Sequence, residues 1–159
     1  MKDSPVSGPH FYRLRFASQM IVWATRKRLH LLACGADDSK VAEAFCLAGL
    51  EDLYTGLMSI VDVLLCGASS RIQLHELACP CLSRHEISLL NALAHLQNDR
   101  DEEARRCMGD LLCPAAVRLV LPAMCAIVGH LDAQALRLSL IDTLPAANVP
   151  LDLSSTAIH

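Results

Sequence analysis

Apolar and polar residues alternate along most of this chain with the 3.6-residue period of a helix that buries one side. Between Phe11 and Cys34, the residues Leu14, Ala17, Ile21 and Ala24 share one face, and Arg15, Gln19, Arg26 and His30 mark a polar stripe broken by Val22. Gly35 follows where a left-handed residue ends helices, so a first helix is predicted over 11–34. Asp37-Asp38-Ser39 then offers caps for a second, long helix over 40–66 that stops at Gly67. Within it Ala42, Gly49, Gly56 and Val63 recur every seven residues, a seam along which another helix can approach closely. Glu51, Thr55, Ser59, Asp62 and Cys66 form a polar line beside that seam, facing water or a partner helix.

Beyond Gly67 the period changes. Ile72 and Leu74 alternate with polar neighbours, which predicts a short extended segment over 71–76 leading into a Cys79-Pro80-Cys81 loop. Ser83 and Glu86 then make a capping box, and Leu82 with Ile87 is placed to close a hydrophobic staple across it. A third helix therefore starts at Ser83 and runs through Leu89, Leu90, Leu93 and Leu96 to Gln97. Asn98-Asp99 reads as a turn, with Asp99 and Glu102 repeating the box pattern to start a fourth helix that reaches about Leu112. Pro114 suits the first position of a fifth, ending near His130, which Pro122 should kink or divide. After residue 133, Leu136, Leu138 and Leu140 alternate, as do Val149, Leu151 and Leu153, compatible with a small hairpin or a terminal helix turn.

These elements predict an all-α, single-domain bundle of five or six helices over 1–159, with one short β pair as an option. Residues 1–10, carrying Pro5, Gly8 and Pro9, read as a loose arm, and 145–159 as a weakly ordered tail. A chain of 159 residues can bury roughly 70% of its unfolded surface, so it needs no disulfide or metal merely to be stable. Its residues are 53% hydrophobic but only 4% aromatic, so the core must be built from Leu, Ala, Val and Ile. That excess of apolar side chains points to a covered surface, most simply an interface between two copies. A membrane span is not expected. The best window, 111–131, contains Arg118, Pro122 and His130, and its uncharged part, 119–131, falls short of the ~20 residues a span requires. The apolar stretch at 16–24 is flanked by arginines and lacks a small-residue cleavage pattern, so it makes a poor signal peptide and the expected location is the cytoplasm.

Charge separates the first two helices. Residues 1–33 carry six Lys or Arg against Asp3, and residues 34–66 carry Lys40 against six acids, which predicts an antiparallel hairpin with charges around its rim. The run Arg26-Lys27-Arg28 would suit nucleic acid or anionic lipid, but the whole chain is at −3 and no recognition motif accompanies the run. A solvated face is the simpler reading, and nucleic acid is not an expected partner.

Only one stretch crowds metal- or thiol-chemistry side chains together. Between residues 75 and 86, His75, Cys79, Cys81 and His85 form a symmetric set of soft ligands around Pro80. Two Cys with two His is a common structural zinc set, although the cysteines usually have two or more residues between them, and here Pro80 alone intervenes. The bland alternative makes Cys79 and Cys81 small loop residues near a helix start, with Glu86 occupied by capping. A third places one thiolate, favoured by the helix N-terminus, as an oxidant sensor, in which case a direct Cys79–Cys81 disulfide would be strained. The other six of the eight cysteines lie singly in helical patterns and read as small buried hydrophobes.

No catalytic signature stands out. Both His-Glu dipeptides lack a histidine three residues after the Glu, since Cys79 and Leu89 stand there. Glu51 and Asp62 share a face but lie about 16 Å apart along a helix, too far to hold one ion. No phosphate loop, dinucleotide fingerprint or nucleophile elbow is present. The leading expectation is a non-enzymatic, self-associating interaction or regulatory module, with the seven-residue seam as its close contact. A metal- or redox-responsive protein built on His75, Cys79, Cys81 and His85 comes second, with zinc as the implied ion. An enzyme whose site is assembled from distant segments comes third.

Overall fold

The computed structural model describes residues 9–142. Its order is a 3-10 turn at Phe11–Arg13 followed by six helices: α1 (Phe16–Cys34), α2 (Ser39–Leu47), α3 (Glu51–Gly67), α4 (Arg84–Leu96), α5 (Asp101–Gly109) and α6 (Pro114–Ala133). Helices make up 67% of it, the all-α bundle that the periodicity predicts. There is no strand among the described residues. Two isolated bridges, His10 with Cys81 and Ala68 with Leu112, are the whole of the β pairing there.

α1 begins five residues later than its apolar face suggests. Phe11 N–H donates to the Pro80 carbonyl at 2.7 Å and Leu82 N–H to the Pro9 carbonyl at 3.0 Å, so this stretch spends its backbone groups on the loop before α4 rather than on a helix. At its far end Gly35 takes φ +65°, and Ala36 N–H reaches back to the Leu31 carbonyl, the left-handed stop that its position predicts.

The predicted second helix is two. Gly49 adopts φ +68° and Leu50 N–H bonds back to the Phe45 carbonyl at 2.8 Å, which ends α2 before Glu51 and Asp52 open α3. A glycine read as a seam residue thus serves as a helix stop, because only a residue without Cβ adopts that φ freely. Of the seam residues Gly56 meets α6 inside the chain, and Gly67, outside the seven-residue series, does the same. A Cβ on Gly56 would stand 3.0 Å from Ile127 Cγ1, and one on Gly67 would clash with Ala116 Cβ, so both glycines let α6 lie close against α3. The polar line Glu51, Thr55, Ser59, Asp62 and Cys66 is exposed throughout.

α1 and the acidic segment meet as their charges suggest. Arg28 pairs with Asp38 at 2.9 Å and with Asp62 at 3.6 Å, and Tyr54 Oη donates to Asp38 at 2.6 Å. That hydroxyl is held as the neutral phenol, with its pKa pushed up to about 12 by burial and by the bond to Asp38.

α4 starts as expected. Ser83 Oγ accepts from Glu86 N–H at 3.1 Å while Glu86 accepts from Ser83 N–H at 2.8 Å, and Leu82 and Ile87 are both buried. The Asp99/Glu102 box does not form. Asp99 instead takes φ +56° and ends α4, a conformation its short polar side chain tolerates, so α5 starts at Asp101 with three acids in its first turn. Pro114 opens α6 as predicted, but Pro122 does not divide it. The proline lies on the exposed side, while Val120, Leu121, Met124 and Ile127 clamp the helix from within.

The hairpin option after residue 133 fails for a related reason. Gln97 donates to Asp132 Oδ1 and to the Leu136 carbonyl, both at 2.7 Å, and accepts from Leu138 N–H at 2.8 Å. Asn91 makes a matching pair of bonds with the backbone of Ile141. The side-chain amides of Asn91 and Gln97 therefore consume the bonds a second strand would need. The Val149–Leu153 alternation and the predicted tail lie outside the described residues, as do residues 1–8.

Candidate functional site

Arg26 lies at the centre of a dense polar assembly. It projects from α1 beneath the loop that carries the cysteines, and its guanidinium has five N–H donors. All five are used. Nε donates to Glu86 Oε1 at 2.7 Å and Nη2 to Glu86 Oε2 at 2.9 Å, a bidentate pair in which both side chains are 2% exposed. Nη1 donates to the carbonyls of Glu76 (3.2 Å) and Cys79 (2.7 Å), and Nη2 to that of Cys81 (2.7 Å). The Phe11 ring covers the guanidinium at 5.6 Å. Glu86 is equally committed, since it also accepts from the backbone N–H of Ser83 and of His75 (3.3 Å). Such a clasp fixes the chain from Glu76 to Glu86 against α1.

That geometry decides what the basic run is for. Arg26 has no donor left for a phosphate, and Arg28 is turned to Asp38 and Asp62, so two of the three cations in Arg26-Lys27-Arg28 serve the fold. Arg26 and Glu86 were each legible in the sequence, one as part of a polar stripe and one as a capping residue. Nothing in the spacing connects them, because the two side chains, sixty positions apart, are brought together only by packing.

The four proposed ligands take separate places around this clasp. His85, on the first turn of α4, accepts the Gln73 N–H on Nδ1 at 2.8 Å, while Ser83 Oγ donates to the Gln73 carbonyl, so this histidine helps to hold the extended segment before the loop. His75 is exposed, its backbone rather than its ring turned to Glu86. Cys79 is half-buried and Cys81 buried, whereas Cys34, Cys46, Cys66, Cys113 and Cys125, which the helical pattern reads as buried, are exposed. Burial, with Cys79 alongside, pushes the Cys81 thiol pKa up, so the helix N-terminus does not make it a thiolate. Among the described residues no three His, Cys, Asp or Glu side chains gather closely enough to hold one metal ion. The loop is shaped by carbonyls gripped by Arg26.

Two depressions flank the 70–78 segment. The larger, about 600 Å³ and open to solvent, is lined by Leu29, His30, Ile72, Leu74, His75 and Leu77 above Arg26. The smaller, about 290 Å³, lies between α1 and the end of α3 against Thr25, Leu64, Leu65 and Ile72. Both are mainly apolar, and the larger also has His30, His75 and Glu76 on its wall.

The fold also leaves one side of α6 uncovered. The helix is long and apolar enough to cross a bilayer, yet Val117, Val120, Met124, Ile127 and Leu131 are buried in the bundle core, as expected of a core helix. Its opposite side is exposed at ten positions, from Pro114 and Ala115 through Leu119, Pro122, Cys125, Ala126 and Gly129 to Ala133, and only Arg118 and Asp132 among them are charged. Leu119 is 71% exposed. No protein-family model, no curated protein and no solved structure matches this chain.

Proposed function

We propose that this chain is a non-enzymatic cytoplasmic protein that self-associates as a dimer and serves as an interaction or regulatory module. The observation that carries this reading is the outer side of α6, a full-length helix face with apolar residues at eight of ten exposed positions. An exposed helix face with so few charged residues suits a covered surface. Of the seam of small residues, by contrast, Gly49 ends α2 and Gly56 packs against α6 within one copy. Light scattering across a concentration series tests the reading. A mass near twice 17.3 kDa supports it, and a monomer at the highest concentration overturns it.

A second reading, a metal- or redox-responsive protein using His75, Cys79, Cys81 and His85, draws its support from the Cys81 thiol lying beside Cys79. Elemental analysis of untagged protein separates the two. One zinc per chain, lost in Cys79→Ser/Cys81→Ser, favours the second, and its absence leaves the first.

A further inference from the structure

We propose that two copies meet along the outer face of α6, antiparallel, with the twofold axis passing at Cys125; this rests on the self-association reading above and names its surface and register. The case begins with where the charges fall. Arg118 and Asp132, the only charged residues among the ten exposed positions of α6, stand seven residues before and seven residues after Cys125. At 1.5 Å per residue each lies about 10 Å from that point along the axis. A second helix laid antiparallel about Cys125 sets Arg118 of each copy at the level of Asp132 of the other. A parallel helix in the same register sets arginine on arginine and aspartate on aspartate, which costs energy twice.

The local geometry leaves those groups available. Asp132 uses Oδ1 for both Gln97 (2.7 Å) and Arg137 (3.1 Å), and among the described residues nothing bonds to Oδ2. Arg118 has no ion-pair partner among the described residues. Between the two charges the face is Pro122, Cys125, Ala126 and Gly129, side chains small enough for helix axes to approach at the short end of the usual 8–10 Å. Leu119, on the flank, falls opposite the Ala133 end of the other helix, where it has apolar surface to cover. The face is thus complementary to itself in one orientation, as a twofold interface requires.

The test uses the full chain with the exposed cysteines Cys34, Cys46, Cys66 and Cys113 changed to Ser, leaving Cys125. Diamide removes two electrons and two protons from a pair of facing thiols, giving a disulfide and reduced diamide. Expected are a dimer in light scattering, rapid conversion to a covalent dimer through Cys125, and a loss of that product in Cys125→Ser. Arg118→Glu alone should weaken dimerisation about tenfold or more, and Arg118→Glu with Asp132→Lys should restore it, since each copy again presents opposite charges. A dimer that forms no Cys125 disulfide and ignores Arg118→Glu overturns this register while self-association stands. A monomer at every concentration, or one that sediments with anionic vesicles instead, overturns both.

Discussion

Arg26 of α1 and Glu86 of α4, sixty residues apart in the chain, form a bidentate ion pair at 2.7 and 2.9 Å with both side chains almost wholly buried. Two charges taken out of water are stable there because each has every remaining hydrogen-bonding site filled, Arg26 by three loop carbonyls and Glu86 by two backbone N–H groups.

Removing either partner strands a buried charge. Arg26→Ala and Glu86→Gln are each expected to lower unfolding free energy by about 3–5 kcal/mol in urea titrations, whereas the neighbouring Lys27→Ala changes it by about 0.5 kcal/mol or less. The double variant Arg26→Met/Glu86→Leu tests the role of the loop. An ion pair alone is often replaced by apolar residues at no cost, but here the carbonyls of Glu76, Cys79 and Cys81 lose their donors, so no recovery is expected. Full recovery would show that the clasp matters only as a charge pair.

The thiols should matter less to stability than the carbonyls beside them. Cys79→Ser/Cys81→Ser is expected to shift the melting temperature by only a few degrees, because Arg26 grips the backbone at both residues and that grip is unchanged. A collapse in stability accompanied by loss of a bound metal would instead make this loop a metal centre.

The close approach of α3 and α6 makes a graded prediction. Gly67→Ala drives a new Cβ into Ala116 and should cost about 1–3 kcal/mol. Gly56→Ala should cost less, since its Cβ would meet the Ile127 side chain, which can shift. Gly109→Ala, with nothing within 4 Å, should leave stability unchanged or raise it by up to about 1 kcal/mol. Equal effects at the three sites, in thermal or urea unfolding, would remove the case for glycine-mediated packing.

Stability at high pH should depend on Tyr54. Its folded pKa of about 12 exceeds the ordinary value of 10, through burial first and the bond to Asp38 second. The contribution is therefore complete below about pH 10 and is lost as pH rises toward about 12, where the unfolded chain gives up the proton before the folded one. In a Tyr12→Phe background, phenolate absorbance should show late titration in the folded protein. Tyr54→Phe should flatten the fall in stability between those two pH values, and an unchanged slope would assign that fall to other groups.

Local rules were enough wherever a short stretch of chain settles its own structure. The Ser83/Glu86 box, the stop at Gly35 and the opening of α6 at Pro114 each satisfy their own orphan backbone groups within a few residues, and so they were readable directly. The same kind of local signal misled where distant groups competed. Phe11 was drawn from a helix to the Pro80 carbonyl, Asp99 gave up its cap role to terminate α4, and Gly49 broke a continuous apolar pattern. The candidate ligands illustrate the limit. Their crowding in sequence is real, but ring direction and thiol burial depend on α1, which lies fifty residues away.

What the sequence determined by itself is therefore the class of fold and most of its helix ends, since periodicity and capping act over a turn or two. Only tertiary structure decided that Arg26 belongs to Glu86 and the loop carbonyls, that Gly56 and Gly67 lie against α6, and that the outer side of α6 is left bare. Burial, pairing and exposure are properties of surfaces that meet, and which surfaces meet is set by the packing of the whole bundle.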